Sequence, residues 1–207
     1  MLVELALLAA ASAAPDFIDA GKAIPAMVVD MRYASANNFT GARVDGYKKP
    51  KCLLARPAAD ALGAVSAELA AMGLQLRVYD CYRPQRAVDR FIRWAQDADE
   101  TTKAAFYPNI DKSDLFAQGY LAERSGHSRG ATIDLTIDGL DMGGPYDFFD
   151  PLSHTANAVV REDARANRLL LKLVMEKHGF RAYPLEWWHF TLANEPFPET
   201  YFDETVR

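Results

Sequence analysis

His127 and Asp134 stand seven positions apart in SGHSRGATID (residues 125–134), and His189 lies in EWWHF (186–190). Two imidazoles and one carboxylate form a donor set that can hold a catalytic zinc ion while leaving a fourth position for water or substrate. The surroundings favour this use. His127 sits among glycines and serines, where backbone can approach a ligand closely. Asp134 sits between Ile133 and Leu135 in ATIDLTI, and a carboxylate in such a strand is costly to bury unless it is paired or coordinates a metal. A lone histidine is more often a hydrogen-bonded structural residue. His178, in the last turn of a helix before Gly179, is read that way, answering the helix dipole. His154, in a loop after Ser153, is assigned a surface or supporting role.

These side chains need elements to position them. AMVVDMRYA (26–34) reads as a strand and NNFTGARVDGY as a turn-rich loop. From Pro57 to Met72, Ala58, Ala61, Leu62, Val65, Leu69 and Met72 follow helical spacing, and Gly73 is the stop. LQLRVYD (74–80) alternates as a half-buried strand. PQRAVDRFIRWAQD (84–97) places Val88, Phe91, Ile92 and Ala95 on one helical stripe. Residues 98–124 read as a polar, irregular insertion, 131–137 as a strand and 139–154 as a long loop. A third helix covers 161–178, with Leu170, Leu173 and Val174 inward, and EWWHFTL closes the chain as an aromatic-rich strand. Helices and strands mixed without strict alternation predict an α+β single domain, with helices packed on a central, largely antiparallel sheet.

The chain has 207 residues, half of them hydrophobic and a quarter charged, enough for one sizeable core. Its net charge of −5, with no dominant Lys/Arg cluster, argues against nucleic acid and toward a small-molecule or peptide partner. Residues 1–14, MLVELALLAAASAA, read either as an export signal or as an N-terminal helix, with 15–207 as the folded domain. That run is too short and interrupted to span a bilayer. Cys52 and Cys81 could form one disulfide in an exported, periplasmic protein, or stay as buried thiols in a cytoplasmic one.

SGHSRGATIDLTI, EWWHF and YDCYRPQRAV together resemble the zinc-dependent D-alanyl-D-alanine dipeptidases. The resemblance runs from RYASANNFTG near residue 32 to PFPETYFDE at 196–204. It implies one zinc ion held by His127, Asp134 and His189, with Glu186 as general base. A bound zinc lowers the pKa of water from about 15.7 to roughly 7, and the carboxylate can pass the water's proton to a leaving amine. In a regular strand Glu186 and His189 would face opposite sides, so Glu186 is placed in a turn after Pro184. Arg83 matches the arginine over the scissile carbonyl, Asp147 the aspartate that binds the substrate ammonium, Ser125 a residue near its carboxylate, and Tyr33 a pocket tyrosine. The chain departs from the vancomycin-resistance member of that family at Gly126, where a serine stands, and at Cys81, where a glycine stands. The resemblance implies hydrolysis of free D-Ala-D-Ala from peptidoglycan metabolism. The rival expectations are a zinc D,D-carboxypeptidase or endopeptidase on longer wall peptides, and a non-catalytic zinc module that binds them.

Overall fold

The computed structural model describes residues 15–207; the segment read as an export signal or N-terminal helix lies outside the described residues. The framework is a five-stranded sheet of β2 (Val28–Val29), β4 (Leu76–Asp80), β5 (Thr132–Ile137), β7 (His189–Leu192) and β6 (Phe180–Ala182). These strands lie in the order β2-β4-β5-β7-β6. Only the β2–β4 pair is parallel, so the sheet is largely antiparallel as expected. β4, read as half-buried from its alternation, is buried at all but Arg77, and the central β5 is buried at all six of its residues. Alternation still divides its two faces, with Ile133, Leu135 and Ile137 on one and Thr132, Asp134 and Thr136 on the other.

Two long helices back the sheet, α2 (Arg56–Ala71) and α5 (Glu162–Lys177), which pack on each other while α5 runs along β5 and β6. α2 buries Ala58, Leu62, Val65 and Leu69 as its spacing predicts. On α5 the expected phase is corrected: Leu171, Val174 and Met175 face inward, whereas Leu173 is 54% exposed. The turn is set by Arg168, which is fully buried and takes the position an apolar residue would otherwise hold. His178 caps α5 and meets Glu68 Oε2 on α2 at 2.7 Å, so it ties the two helices together. α3 (Gln85–Ala95) buries Ala87, Val88, Phe91 and Trp94.

Several elements escape a local reading. β1 (Phe17–Asp19) pairs antiparallel with β3 (Leu53–Ala55) as a small second sheet, followed and preceded respectively by α1 (Ala20–Ala23) and Cys52. The strand expected over 26–34 shrinks to β2, after which Arg32–Ala34 turns as a 3-10 helix. The insertion at 98–124 is not merely polar: it contains α4 (Lys103–Phe106) and buries Tyr107, Leu115 and the stem of Lys112, whose ammonium meets Asp97 at 2.7 Å. Cys52 and Cys81 are disulfide-bonded and fully buried, joining the start of β3 to the end of β4.

Candidate active site

Sheet register places the metal-ligand candidates. Asp134 on β5 is paired with Asp80 on β4 and with His189 on β7, so one row across three strands carries all three side chains. A register irregularity between Val78 and Asp80 brings Asp80 into that row. His127 reaches the row from a 3-10 turn, Gly126–Arg129, capped by Ser125, whose Oγ accepts from the His127 backbone N–H at 3.3 Å. His127 Nε2 lies 3.2 Å from Asp134 Oδ1 and 3.4 Å from His189 Nδ1, and His189 Nδ1 lies 3.1 Å from the same Oδ1. Ligands about 2.0–2.1 Å from a tetrahedral zinc stand roughly 3.3 Å apart, so these three atoms match one face of such a site.

The donor states fit as well. His127 Nδ1–H donates to the Cys81 carbonyl at 2.7 Å, which leaves the Nε2 lone pair facing the triangle. Among the described residues Asp134 Oδ1 is buried without a hydrogen-bond partner, an acceptor that a cation would satisfy. Burial pushes the Asp134 carboxyl up, but His127 and His189 outweigh it and hold Asp134 far below the ordinary carboxylate range. Burial pushes the His189 imidazole down, against the pull of Asp134, which favours the neutral, metal-binding form.

Glu186 lies in the turn before β7, where His189 N–H donates to its carbonyl at 3.2 Å. This turn, rather than strand geometry, lets residues three apart face one site, and Glu186 Oε2 comes within 3.4 Å of His189 Nδ1. Its carboxyl is buried, and that burial, reinforced by Asp134 and Asp147, raises its proton affinity well above normal. Arg83 follows β4. Its Nε donates to Asp80 Oδ2 at 2.9 Å, its Nη2 stands 3.6 Å from Asp134 Oδ2, and its guanidinium lies over the Tyr33 and Phe91 rings. Asp80 Oδ1 accepts from Tyr47 Oη at 2.6 Å, and Asp80 Oδ2 is 3.5 Å from His127 Nδ1. This aspartate therefore braces both the guanidinium and the imidazole.

Asp147 comes from the loop after β5. It is buried at a φ of +58°, an unusual backbone conformation for a residue other than glycine. Tyr33 Oη donates to Asp147 Oδ2 at 2.9 Å, and burial, then the charge of Asp134, pushes the Asp147 carboxyl up. Tyr33, Arg83, Ser125, Asp134, Asp147, Glu186 and His189 all line one cavity of about 260 Å³, with His127 fully buried behind it. The expected residues thus converge. Sequence reasoning missed Asp80 and Tyr146, which touch the metal-ligand candidates from behind; the aspartate three residues before Arg83 in YDCYR was the one local signal for either.

A family model described as Peptidase_M15, D-ala-D-ala dipeptidase, matches residues 13–207. The chain belongs to this family. A D-alanyl-D-alanine dipeptidase of Streptomyces coelicolor is 45% identical over 196 residues, covering 91% of this chain and 96% of the relative. One from Enterococcus faecalis is 45% identical over 185 residues, covering 86% and 91%. One from Escherichia coli is 32% identical over 182 residues, covering 86% and 84%. Within the D-Ala-D-Ala dipeptidase family, the two departures noted in this sequence have structural settings. A Cβ at Gly126 would stand 2.7 Å from Thr132 Oγ1, so the Thr132 hydroxyl fills the room a larger residue would need. Cys81 supplies one half of the disulfide.

Proposed function

We propose that this member of the dipeptidase family is a zinc peptidase that hydrolyses free D-Ala-D-Ala to two molecules of D-alanine. The observation that carries the proposal is the cluster of His127, Asp134 and His189 donor atoms beside one cavity that Glu186, Arg83 and Asp147 also line. Its volume of about 260 Å³ lies just below the roughly 300–1,000 Å³ of pockets for drug-sized ligands, which suits a dipeptide better than a longer wall peptide.

When bound, a zinc ion would supply Lewis-acid polarisation and an acidified water. Glu186 takes the proton of the attacking water and delivers it to the amide nitrogen as the C–N bond breaks, so the water's oxygen ends on the new carboxylate. Arg83, held by Asp80, faces the charge that develops on the former carbonyl oxygen and stabilises it more than the neutral carbonyl. Asp147 receives the substrate ammonium, a charged hydrogen bond that a blocked or extended amino end could not make. Ser125 sits where it can assist the substrate carboxylate, and Tyr33 holds Asp147 in place.

The test is D-alanine release by zinc-loaded protein from D-Ala-D-Ala, beside Glu186→Gln and a D-Ala-terminated pentapeptide. Release from the dipeptide alone, lost in the variant while zinc stays bound, is the expected result. Release from the pentapeptide would make the protein a carboxypeptidase, and no release from either would leave a binding module. The buried disulfide supports the exported reading, because such bonds persist in oxidising compartments. N-terminal sequencing of protein recovered from the cell envelope tests it; an intact Met1 there would refute cleavage.

A further inference from the structure

Tyr146 belongs to neither the metal-ligand set nor the cavity lining, yet its hydroxyl lies 3.0 Å from Asp134 Oδ2 and 3.2 Å from Tyr33 Oη. A phenol has one proton. Tyr33 spends its own on Asp147, and the charged acceptor within reach of Tyr146 is Asp134, so the Tyr146 proton goes to Oδ2. The ring is fixed by stacking on Tyr79, with centroids 4.5 Å apart, and by an edge contact with Trp188 at 5.3 Å. The other oxygen of Asp134, Oδ1, is the buried and unpartnered one, and it faces both imidazoles. The two oxygens of one carboxylate are thus treated differently, and Tyr146 makes the direct hydrogen bond on the far side. Arg83 Nη2 stands at 3.6 Å from Oδ2, beyond hydrogen-bonding distance.

We infer that Tyr146 is a positioning residue that reserves Oδ1 of Asp134 as the sole carboxylate oxygen offered to the metal. The inference rests on the zinc reading of the site. A carboxylate that rotates to offer both oxygens would occupy a position that substrate or water needs, so the hydroxyl keeps the site open as well as oriented.

The experiment compares wild-type protein with Tyr146→Phe, which keeps the ring and deletes the hydroxyl. Zinc affinity is read by competition with a chromophoric chelator, and coordination by the visible absorption of the cobalt-substituted forms. The variant should bind zinc about tenfold or more weakly. Its cobalt bands should lose intensity as a second carboxylate oxygen raises the coordination number. X-ray absorption at the zinc edge of the wild type, which needs no variant, should show a monodentate aspartate. Equal affinities with identical cobalt spectra would overturn the inference, and so would a bidentate aspartate in the wild type. Wild-type protein that retains neither zinc nor cobalt would instead overturn the metal-site reading beneath it.

Discussion

The two sides of the cavity are built by different means. On one side, Asp80, Asp134 and His189 are neighbours in a paired sheet, where backbone hydrogen bonds fix each Cα and a slip of one residue would turn every side chain to the wrong face. On the other side, Tyr33 comes from a 3-10 turn and Asp147 from a loop, both held in shape by side chains. Asn38 Nδ2 gathers the carbonyls of Arg32, Ser35 and Ala42 beneath Tyr33. Arg168 reaches from α5 to the Met142 carbonyl with Nε at 2.6 Å, and to the Leu152 and His154 carbonyls with Nη1 at 3.0 and 2.9 Å, closing both ends of the loop that carries Asp147. The strand residues of the candidate metal side therefore resist adjustment, because their geometry is shared by the whole sheet, while His127 and Glu186 join them from turns. The substrate side can be retuned through single side chains.

Asp134→Ala should break the strand side outright. Zinc should no longer survive gel filtration, and D-alanine release should fall to background, whereas the apo fold, read by circular dichroism, should persist. Arg83→Ala separates chemistry from metal holding: metal content should stay near wild type while kcat drops by about 10²–10³, the usual cost of deleting a donor to a developing oxyanion. A rise in KM alone, with kcat kept, would remove Arg83 from the chemical step. Replacing Cys52 and Cys81 by alanine opens a covalent loop spanning 29 positions, for which chain entropy predicts a loss of about 3–4 kcal/mol. The thermal midpoint should fall by roughly 10 °C. The smallest effect is the one that sharpens the contrast most. Arg168→Met strands three loop carbonyls and should cost about 1–3 kcal/mol, and it should raise KM for the dipeptide with little change in zinc affinity. Equal losses in KM and zinc binding would show that the loop and sheet halves are not separable.

The same division explains what the sequence revealed. His127, Asp134, Glu186 and His189 were legible because each lies in a short stretch whose residue types are unusual for a core, and together they match a specific motif. The placement of Glu186 in a turn followed from the conflict between strand periodicity and a three-residue spacing. Asp80 and Tyr146 were not legible as partners of the site, since strand pairing and a distant loop bring them there. β1 and β3 were hidden for a similar reason: each is three residues long, and their pairing brings together segments far apart in the chain. The phase of α5 was misjudged because Leu169, Leu170, Leu171 and Leu173 offer apolar side chains in almost every direction, and the buried Arg168 that sets the turn reads locally as a surface residue.

The strand order has a consequence in time. β7 lies between β5 and β6, although both precede it in the chain. During synthesis Asp80 and Asp134 can already be neighbours when His189 has not yet been made, and β6 has no place in the sheet until β7 arrives to bridge it. His189, the last in the chain of the three candidate metal donors, and the last internal strand are therefore delivered by the same few residues. A chain interrupted before residue 189 would hold an incomplete donor set on an unfinished sheet. Uptake of an ion by the candidate donors would therefore wait on the same strand that closes the sheet.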